Sequence, residues 1–441
     1  MEQASALVEA ISPSGPVMML LLVLGVCLTL QFRVFQIRKF PFILKNTLGT
    51  LLRREPPAKD SGNISPFQAV TTALAGTMGV GNIAGVATAL VSGGPGAIFW
   101  MWVSAFFGMA TKYAEIFLAV KFRRRDTRGR YYGGPMYYME AISGKRGMAC
   151  VFALLCALTS LGIGNLTQVN SVSTAALSAF GVPQWISGLV VAGIVALVVF
   201  GGVGRIARVT EMVIPFASIV YLCCAGVFLY INRDNVSGAF SMIFSGAFAV
   251  KPAVGGVAGY SISQALRLGL SRGVFTNEAG LGSAPIAHAA ADCKSPAHQG
   301  VWGIFEVFLD TIVVCTVTAL VLLTAKDGAL WKSGLNGAPL TSAAFESVFG
   351  DLGAKILAVS IVFFAVSAML GWCYYGESAL KYLTRGKGWA VAIYRVVFVA
   401  CVLLGAVGEL RLVWSLSDLL NALMALPNIL AIWLLRHHLL E

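Results

Sequence analysis

Two tracts nearly two hundred residues apart concentrate residues able to do chemistry. The first runs from Thr71 to Gly85 and holds Gly76, Thr77, Gly79, Gly81 and Asn82. The second runs from Arg272 to Pro285 and holds Thr276, Asn277, Glu278, Gly280, Gly282 and Ser283. Each lies inside an apolar run long enough to cross a bilayer. In hydrocarbon an unpaired backbone group costs several kcal/mol, so such breaks survive only where they line a polar cavity. A helix unwound at midplane frees N–H groups at the start of its second half, which suit a carboxylate. It also frees carbonyls at the end of its first half, which suit an ammonium group or a cation. A zwitterionic amino acid presents one group of each kind, and sodium takes the oxygens. A matched pair of broken helices is the sequence pointer to a transporter binding site.

Other polar residues fall within apolar runs. Gly164 to Ser171 includes Asn165, Thr167, Gln168 and Asn170, a cluster expected to face the cavity, with interhelical hydrogen bonding as the alternative. Phe363 to Glu377 offers Ser367 as a cation ligand and Trp372 as the wall of a pocket. Arg272 is expected to pair with Asn277 and Glu278, either as a structural ion pair or as a coupling device. Lys112 and Glu115 read as a pair near the inner end of the third span. Glu306 and Asp310 share a helical face and receive no chemistry. Gly79 to Ala84 matches the dinucleotide pattern GxGxx[GA], but no strand precedes it, and Gly81 and Gly85 also have the spacing of a packing face. No catalytic triad, HExxH or P-loop lysine is present, which weighs against an intramembrane enzyme using Glu278 or His288.

The elements that position these residues are membrane helices. Of 441 residues, 57% are hydrophobic and 12% charged, and the mean hydropathy is +0.79. Soluble domains carry about 25% charged residues. Apolar runs mark eleven spans: roughly 15–32, 66–92, 95–120, 148–179, 184–202, 209–231, 261–290, 300–324, 353–380, 389–408 and 412–435. The net charge of +12 sits in short loops and is a topology signal, not a nucleic-acid surface. One set of alternate loops holds 22 Lys and Arg, among them Arg205, Arg208 and those of 33–65 and 121–147. The other holds six: Arg233, Lys251, Lys326, Lys332, Lys355 and Arg411. The positive-inside rule then puts the N-terminus outside and the C-terminus in the cytoplasm. The run 15–32 has no basic residue before it and reads as a retained helix. Without it ten spans remain, with the broken segments first and sixth. That order predicts an inverted five-plus-five repeat, 66–231 and 261–435, within one transmembrane domain spanning 1–441. The stretches 33–65, 232–260 and 325–352 read as loops or interfacial helices. Nine cysteines, mostly inside apolar runs and without CxxC spacing, read as small buried hydrophobes. Nothing in the sequence sets an oligomeric state.

Several tracts together resemble the alanine or glycine:cation symporter family, the sodium:alanine symporters. They are Ala73–Thr88, Gly93–Ala97, Phe99–Trp102, Ala119–Lys121, Tyr132–Tyr138, Arg272–Pro285 and Gly371–Glu377, spread over nearly the whole chain. The resemblance implies an all-α membrane protein with the LeuT-type inverted repeat and one added helix. It implies sodium-coupled import of alanine or glycine across a bacterial inner membrane, in contact with lipid and with no cofactor beyond the coupling ion. Val80 and Gly81, flanked by Gly79 and Asn82, would hold the substrate carboxylate with the help of Gln168. The Thr77 carbonyl would take the ammonium, and Phe275, Thr276 and Trp372 would enclose the side chain. Sodium would lie among Ala75, Met78, Phe364, Ser367 and Ala368. Many relatives carry a threonine where this chain has Ala368, so one hydroxyl ligand is missing. Some proton-coupled members of the wider fold use a lysine on the fifth core helix; 209–231 contains no Lys or Arg. Proton coupling and a larger substrate such as glutamine are the alternatives, with a channel as a different class.

Overall fold

The computed structural model describes residues 14–51, 64–142, 146–248 and 257–439. The predicted loop residues 52–63, with Arg53, Arg54 and Lys59, lie outside the described residues, as do Lys145 and the segment 249–256 with Lys251. Among the described residues the regular structure is helical apart from a two-residue antiparallel ribbon, β1 (Arg124–Arg125) with β2 (Tyr131–Tyr132).

α1 (Ser14–Gln31) ends where Arg33 and Val34 turn left-handed, and short helical turns follow to residue 51. α2 (Pro66–Thr77) opens on a capping box: Ser65 and Gln68 bond each other's backbone, and Pro66 occupies the first turn. α3 (Ala84–Gly93) continues after a break, followed by α4 (Gly96–Lys121). α5 (Arg146–Leu161) passes through a π-helical turn, Gly162–Leu166, into α6 (Thr167–Phe180). Next come α7 (Gln184–Val199), α8 (Val203–Ile231), α9 (Arg233–Phe248), α10 (Val257–Asn277) and α11 (Ala284–Ala289). α12 (Pro296–Val307) runs through a second π turn, Phe308–Cys315, into α13 (Thr316–Thr324). α14 (Gly337–Phe349), α15 (Asp351–Leu383), α16 (Gly388–Ala406) and α17 (Leu410–Leu435) complete the chain.

Among the described residues seven helical segments are long and apolar enough to cross a membrane: 96–121, 146–180, 203–231, 296–328, 351–383, 388–406 and 412–439. Shorter apolar helices cover Gly15–Gln31, Ala84–Gly93 and Gln184–Val199. The helix 257–277 is long enough but carries Arg267 and Arg272.

The pairing of helices defines two groups. α4 packs along α10 and α12, and α3 packs on α10. α15 packs along α5, α6 and α8, and α7 packs on α16. α1 rests on α4 and α17. One boundary differs from the sequence reading. α8 begins at Val203, so Arg205 and Arg208 are helical and not in a loop; Gly202 (φ 77) ends the preceding connection, and Arg205 caps the Leu197 carbonyl from across it. Of the two readings of 232–260 and 325–352, loops or interfacial helices, the structure has helices in both, α9 and α14. Both predicted third- and seventh-core spans contain π turns, which hydropathy does not register.

Candidate functional site: two broken helices

The first break starts where α2 ends at Thr77. Met78 N–H closes on Leu74 O at 2.7 Å, Gly79 is extended, and Val80–Asn82 form one 3₁₀ turn before α3. Among the described residues, no backbone N–H donates to the carbonyls of Ala75, Gly76 or Met78. The Val80 N–H donates to Gln168 Oε1 at 3.1 Å. Gln168 Nε2 in turn donates to Ile163 O at 2.9 Å, a carbonyl of the π turn. The extra residue in that turn aims Gln168 at the break.

The second break starts where α10 ends at Asn277. Glu278 (φ 56) turns left-handed, Gly280 (φ 87) and Gly282 (φ 82) continue the reversal, and Pro285 restarts the chain in the first turn of α11. A buried glutamate at positive φ is strained and persists only where its surroundings hold it. Its carboxylate accepts from Trp372 Nε1 at 2.7 Å and from the Ser283 hydroxyl.

The two breaks touch. A Cβ added at Gly81 would stand 3.0 Å from Thr276 Cγ2 and 3.3 Å from Phe275 Cδ1. α15 lies along the first break: Gly371 meets the Gly76 backbone (2.9 Å from an added Cβ to Gly76 N), and an added Cβ at Gly79 would stand 3.1 Å from Ala368 Cβ. Ser367 precedes Ala368 on the same buried stretch of α15. Its hydroxyl is buried and has no hydrogen-bond partner among the described residues. Leaving such a group unpaired costs about 1–3 kcal/mol, so an oxygen-seeking ligand would be stabilised there. Phe364, one turn earlier on α15, sends its ring onto Tyr221 (centroids 6.0 Å apart), leaving only its backbone for a ligand role. Thr77, Val80, Asn82, Gln168, Phe275, Thr276 and Trp372 are all buried, and the site is closed.

Not every predicted residue joins this arrangement in the expected way. Of the cluster 164–171, only Gln168 reaches a break. Asn165 of the π turn donates to Phe398 O of α16 at 2.6 Å, and Asn170 of α6 to Gly408 O, just past α16, at 2.8 Å. Trp372 packs against Gly164, and its indole nitrogen is committed to Glu278. Arg272 does not pair with Asn277 or Glu278. Its guanidinium binds Asp418 of α17 at 2.9 Å and lies over Trp414, which stacks on Phe275 at 4.8 Å. Arg272 and Asp418 lie 146 residues apart, and only the tertiary fold joins them. Lys112 does not bind Glu115. It pairs with Glu306 at 3.2 Å, and His288 approaches the other Glu306 oxygen at 3.2 Å. Glu115 accepts from Asn428 at 3.0 Å.

The sequence reading does not name Trp414, and it names Asp310 with Glu306 but assigns it no chemistry. Trp414 sits over the start of α3, 3.6 Å from where a Gly85 Cβ would be. Its signal was Asp418 one turn later, the acid that the membrane-embedded Arg272 required. Asp310 receives the Asn82 amide at 2.6 Å; its signal was the absence of any nearby basic residue in sequence.

The sequence pattern of the "Sodium:alanine symporter family" matches residues 1–441. The chain is 45% identical over 427 residues to the "Sodium/alanine symporter AgcS" of Methanococcus maripaludis, covering 96% of this chain and 92% of that protein. It is 37% identical to the "Probable sodium/glutamine symporter GlnT" of Bacillus subtilis, covering 94% and 84%. In backbone it is similar to a Na+-coupled sialic acid symporter (TM-score 0.56, 12% identity, 92% of this chain and 82% of that one). It is also similar to the manganese transporter of Eremococcus coleocola (TM-score 0.55, 14% identity, 81% and 74%). At these identities the likeness is one of fold. With the family pattern matched end to end and a relative sharing nearly half its residues, the chain belongs to the sodium:alanine symporter family and is a multi-pass membrane transporter, not an enzyme.

Proposed function

We propose that the chain carries small neutral amino acids, alanine and glycine, together with sodium into a bacterial cytoplasm by alternating access. The observation that carries this reading is the contact between two buried helix breaks, Gly81 against Thr276 and Phe275. In this proposal the substrate carboxylate takes the N–H groups of Val80 and Gly81, between Gly79 and Asn82. The Gln168 oxygen, which holds the Val80 N–H in the closed site, turns aside so that its amide nitrogen meets the carboxylate. The Thr77 carbonyl receives the ammonium, and Phe275, Thr276 and Trp372 limit the side chain to a small group. Sodium lies among the backbone oxygens of Ala75, Met78, Phe364 and Ala368 and the Ser367 hydroxyl. The unpartnered Ser367 hydroxyl and the unpaired α2 carbonyls support that placement.

The membrane arrangement belongs to the same proposal: eleven spans, with 15–32 outside an inverted repeat of 66–231 and 261–435, N-terminus out and C-terminus in, in the inner membrane. The pairing of α4 with α12, α5 with α15 and α7 with α16 supports the repeat, since each pair joins helices about two hundred residues apart. One charge moving down ~100 mV supplies ~2.3 kcal/mol, and a roughly tenfold sodium gradient adds ~1.4 kcal/mol. Each ion carried can therefore hold the solute at several-hundred-fold accumulation.

Labelled alanine uptake into proteoliposomes, with sodium and pH gradients imposed separately, tests the reading. Uptake driven by sodium and abolished in choline medium is expected; uptake unchanged in choline ends the sodium claim. The kinship with a protein named for glutamine makes glutamine the second reading. Glutamine competing better than alanine or glycine would select it.

A further inference from the structure

Away from the two breaks, an apolar groove runs between α1, α5 and α17. Its volume is about 700 Å³, within the roughly 300–1,000 Å³ of ligand clefts. Val23 and Leu24 of α1, Val151 of α5, and Pro427, Leu430 and Trp433 of α17 line it, and no charged or amide side chain does. Leu24 is buried, while Val23, Val151, Leu430 and Trp433 are exposed. In the proposed orientation the groove faces the inner leaflet, where α1 ends at Gln31, α5 begins at Arg146 and α17 ends at Leu435.

The cytoplasmic end of the groove is basic. Arg436 follows Trp433 by one turn and lies over its ring at 4.2 Å. Gln31 Nε2 donates to the Arg436 carbonyl at 2.9 Å, which ties α1 to α17 at that end. Arg33, Arg38, Lys39 and Lys45 follow α1, and residues 14–51 contain no Asp or Glu. Arg146 is exposed, and Glu140, 4.0 Å from it, is held at 2.5 Å by Arg124. An apolar slot beneath arginines matches one membrane molecule, an anionic phospholipid, with an acyl chain in the slot and the phosphate on the guanidinium groups. A two-fold dimer through this face would instead set its basic end against itself.

Two walls of the groove reach the second break. Asn428, next to Pro427, turns inward, and its Nδ2 donates to Gly280 O at 2.9 Å and to Glu115 Oε2 at 3.0 Å. Leu21 of α1, beside the groove-lining stretch, meets the same glycine: a Cβ added at Gly280 would stand 2.3 Å from Leu21 Cδ2. The spacing of α1 and α17 is therefore felt at Gly280. We propose that an anionic phospholipid seats an acyl chain in this groove with its phosphate at Arg436 and Arg146, holds α1 and α17 against Gly280, and so sustains transport. The proposal rests on the membrane arrangement and the symport reading given above.

Quenching of Trp433 by brominated acyl chains tests the seat. The purified full chain in phosphatidylcholine vesicles is titrated with brominated phosphatidylglycerol, and the Trp433 signal is the difference between wild type and Trp433→Phe. Saturation is expected at a mole fraction about tenfold or more below that needed with brominated phosphatidylcholine, and Arg436→Gln with Arg146→Gln should abolish the preference. Equal quenching by the two lipids, or none by either because a second copy covers the groove, overturns the site. Sodium-driven alanine uptake tests the coupling. Uptake should be several-fold faster with phosphatidylglycerol present, and Val23→Phe, which fills the groove, should lose that stimulation; the paired arginine variant serves if Val23→Phe fails to fold. Uptake indifferent to phosphatidylglycerol overturns the coupling. Absence of sodium-driven uptake in both lipids removes the symport reading, while the quenching still decides the lipid site.

Discussion

Gly81 of the first break and Thr276 of the second are in van der Waals contact through space that a single methyl would fill; an added Cβ would stand 3.0 Å from Thr276 Cγ2. Both belong to interrupted helices whose free peptide groups face inward. Gly81→Ala is expected to fold, since the neighbour is a side chain able to shift by a few tenths of an ångström. It should hold the breaks apart and lower the rate of alanine uptake about tenfold, in keeping with the 1–3 kcal/mol typical of overpacking. Uptake per milligram of reconstituted protein, beside an unchanged gel-filtration profile, checks it. Wild-type uptake would mean that the contact does not tighten during transport.

Gln168 occupies the donor proposed for the substrate carboxylate, with its Oε1 on the Val80 N–H at 3.1 Å. Gln168→Ala removes a neutral competitor and a helper together and should raise the half-saturation for alanine roughly tenfold, about 1.4 kcal/mol. Gln168→Glu places a charged oxygen on the same N–H, and charge-assisted hydrogen bonds are about twice as strong as neutral ones. Its half-saturation should rise further than that of Gln168→Ala. The two variants ranked the other way in an uptake titration would remove Gln168 from the carboxylate site.

The breaks themselves were legible because glycine, threonine and asparagine inside an apolar run have no lipid-facing explanation. The bounds of α2, α4 and α17 follow from the same hydropathy contrast. What the sequence concealed were long-range partners. Arg272 has Asn277 and Glu278 within two turns, yet takes Asp418, because Glu278 is held by Trp372 and Ser283 on the far side of a left-handed turn. Lys112 and Glu115 are three apart on one helix, yet the ammonium reaches across to Glu306 on α12. The cluster Asn165, Gln168 and Asn170 looks uniform in sequence, but helical rotation sends the first and last to the carbonyls of Phe398 and Gly408. A π turn adds one residue per turn without changing hydropathy, so neither the aim of Gln168 nor that of Asp310 was visible.

Ser367 gives a prediction in which stability and function move in opposite directions. Its hydroxyl is buried and unpaired. In the ion-free protein Ser367→Ala deletes an unsatisfied group and should stabilise by up to about 1–3 kcal/mol, read as a higher melting temperature in sodium-free buffer. With sodium present the variant loses a ligand, so the stabilisation that sodium confers should shrink and the sodium concentration for half-maximal uptake should rise several-fold. A melting temperature that responds to sodium as wild type does would take the hydroxyl out of the ion site.

Trp372 has two attachments that separate its structural and selective roles. Its ring lies on Gly164, where an added Cβ would come within 2.2 Å of Trp372 Cβ, and its Nε1 donates to Glu278 Oε1 at 2.7 Å. Trp372→Phe keeps most of the ring but strips Glu278 of that donor; leaving a buried polar group without its partner costs about 1–3 kcal/mol. The melting temperature should fall while the ranking of competing amino acids stays as in wild type. Trp372→Ala empties the volume as well, at about 3–5 kcal/mol, and should let larger side chains such as leucine compete with labelled alanine. Exclusion of leucine by a folded Trp372→Ala protein would mean that the indole braces the second break through Glu278 and does not bound the substrate pocket.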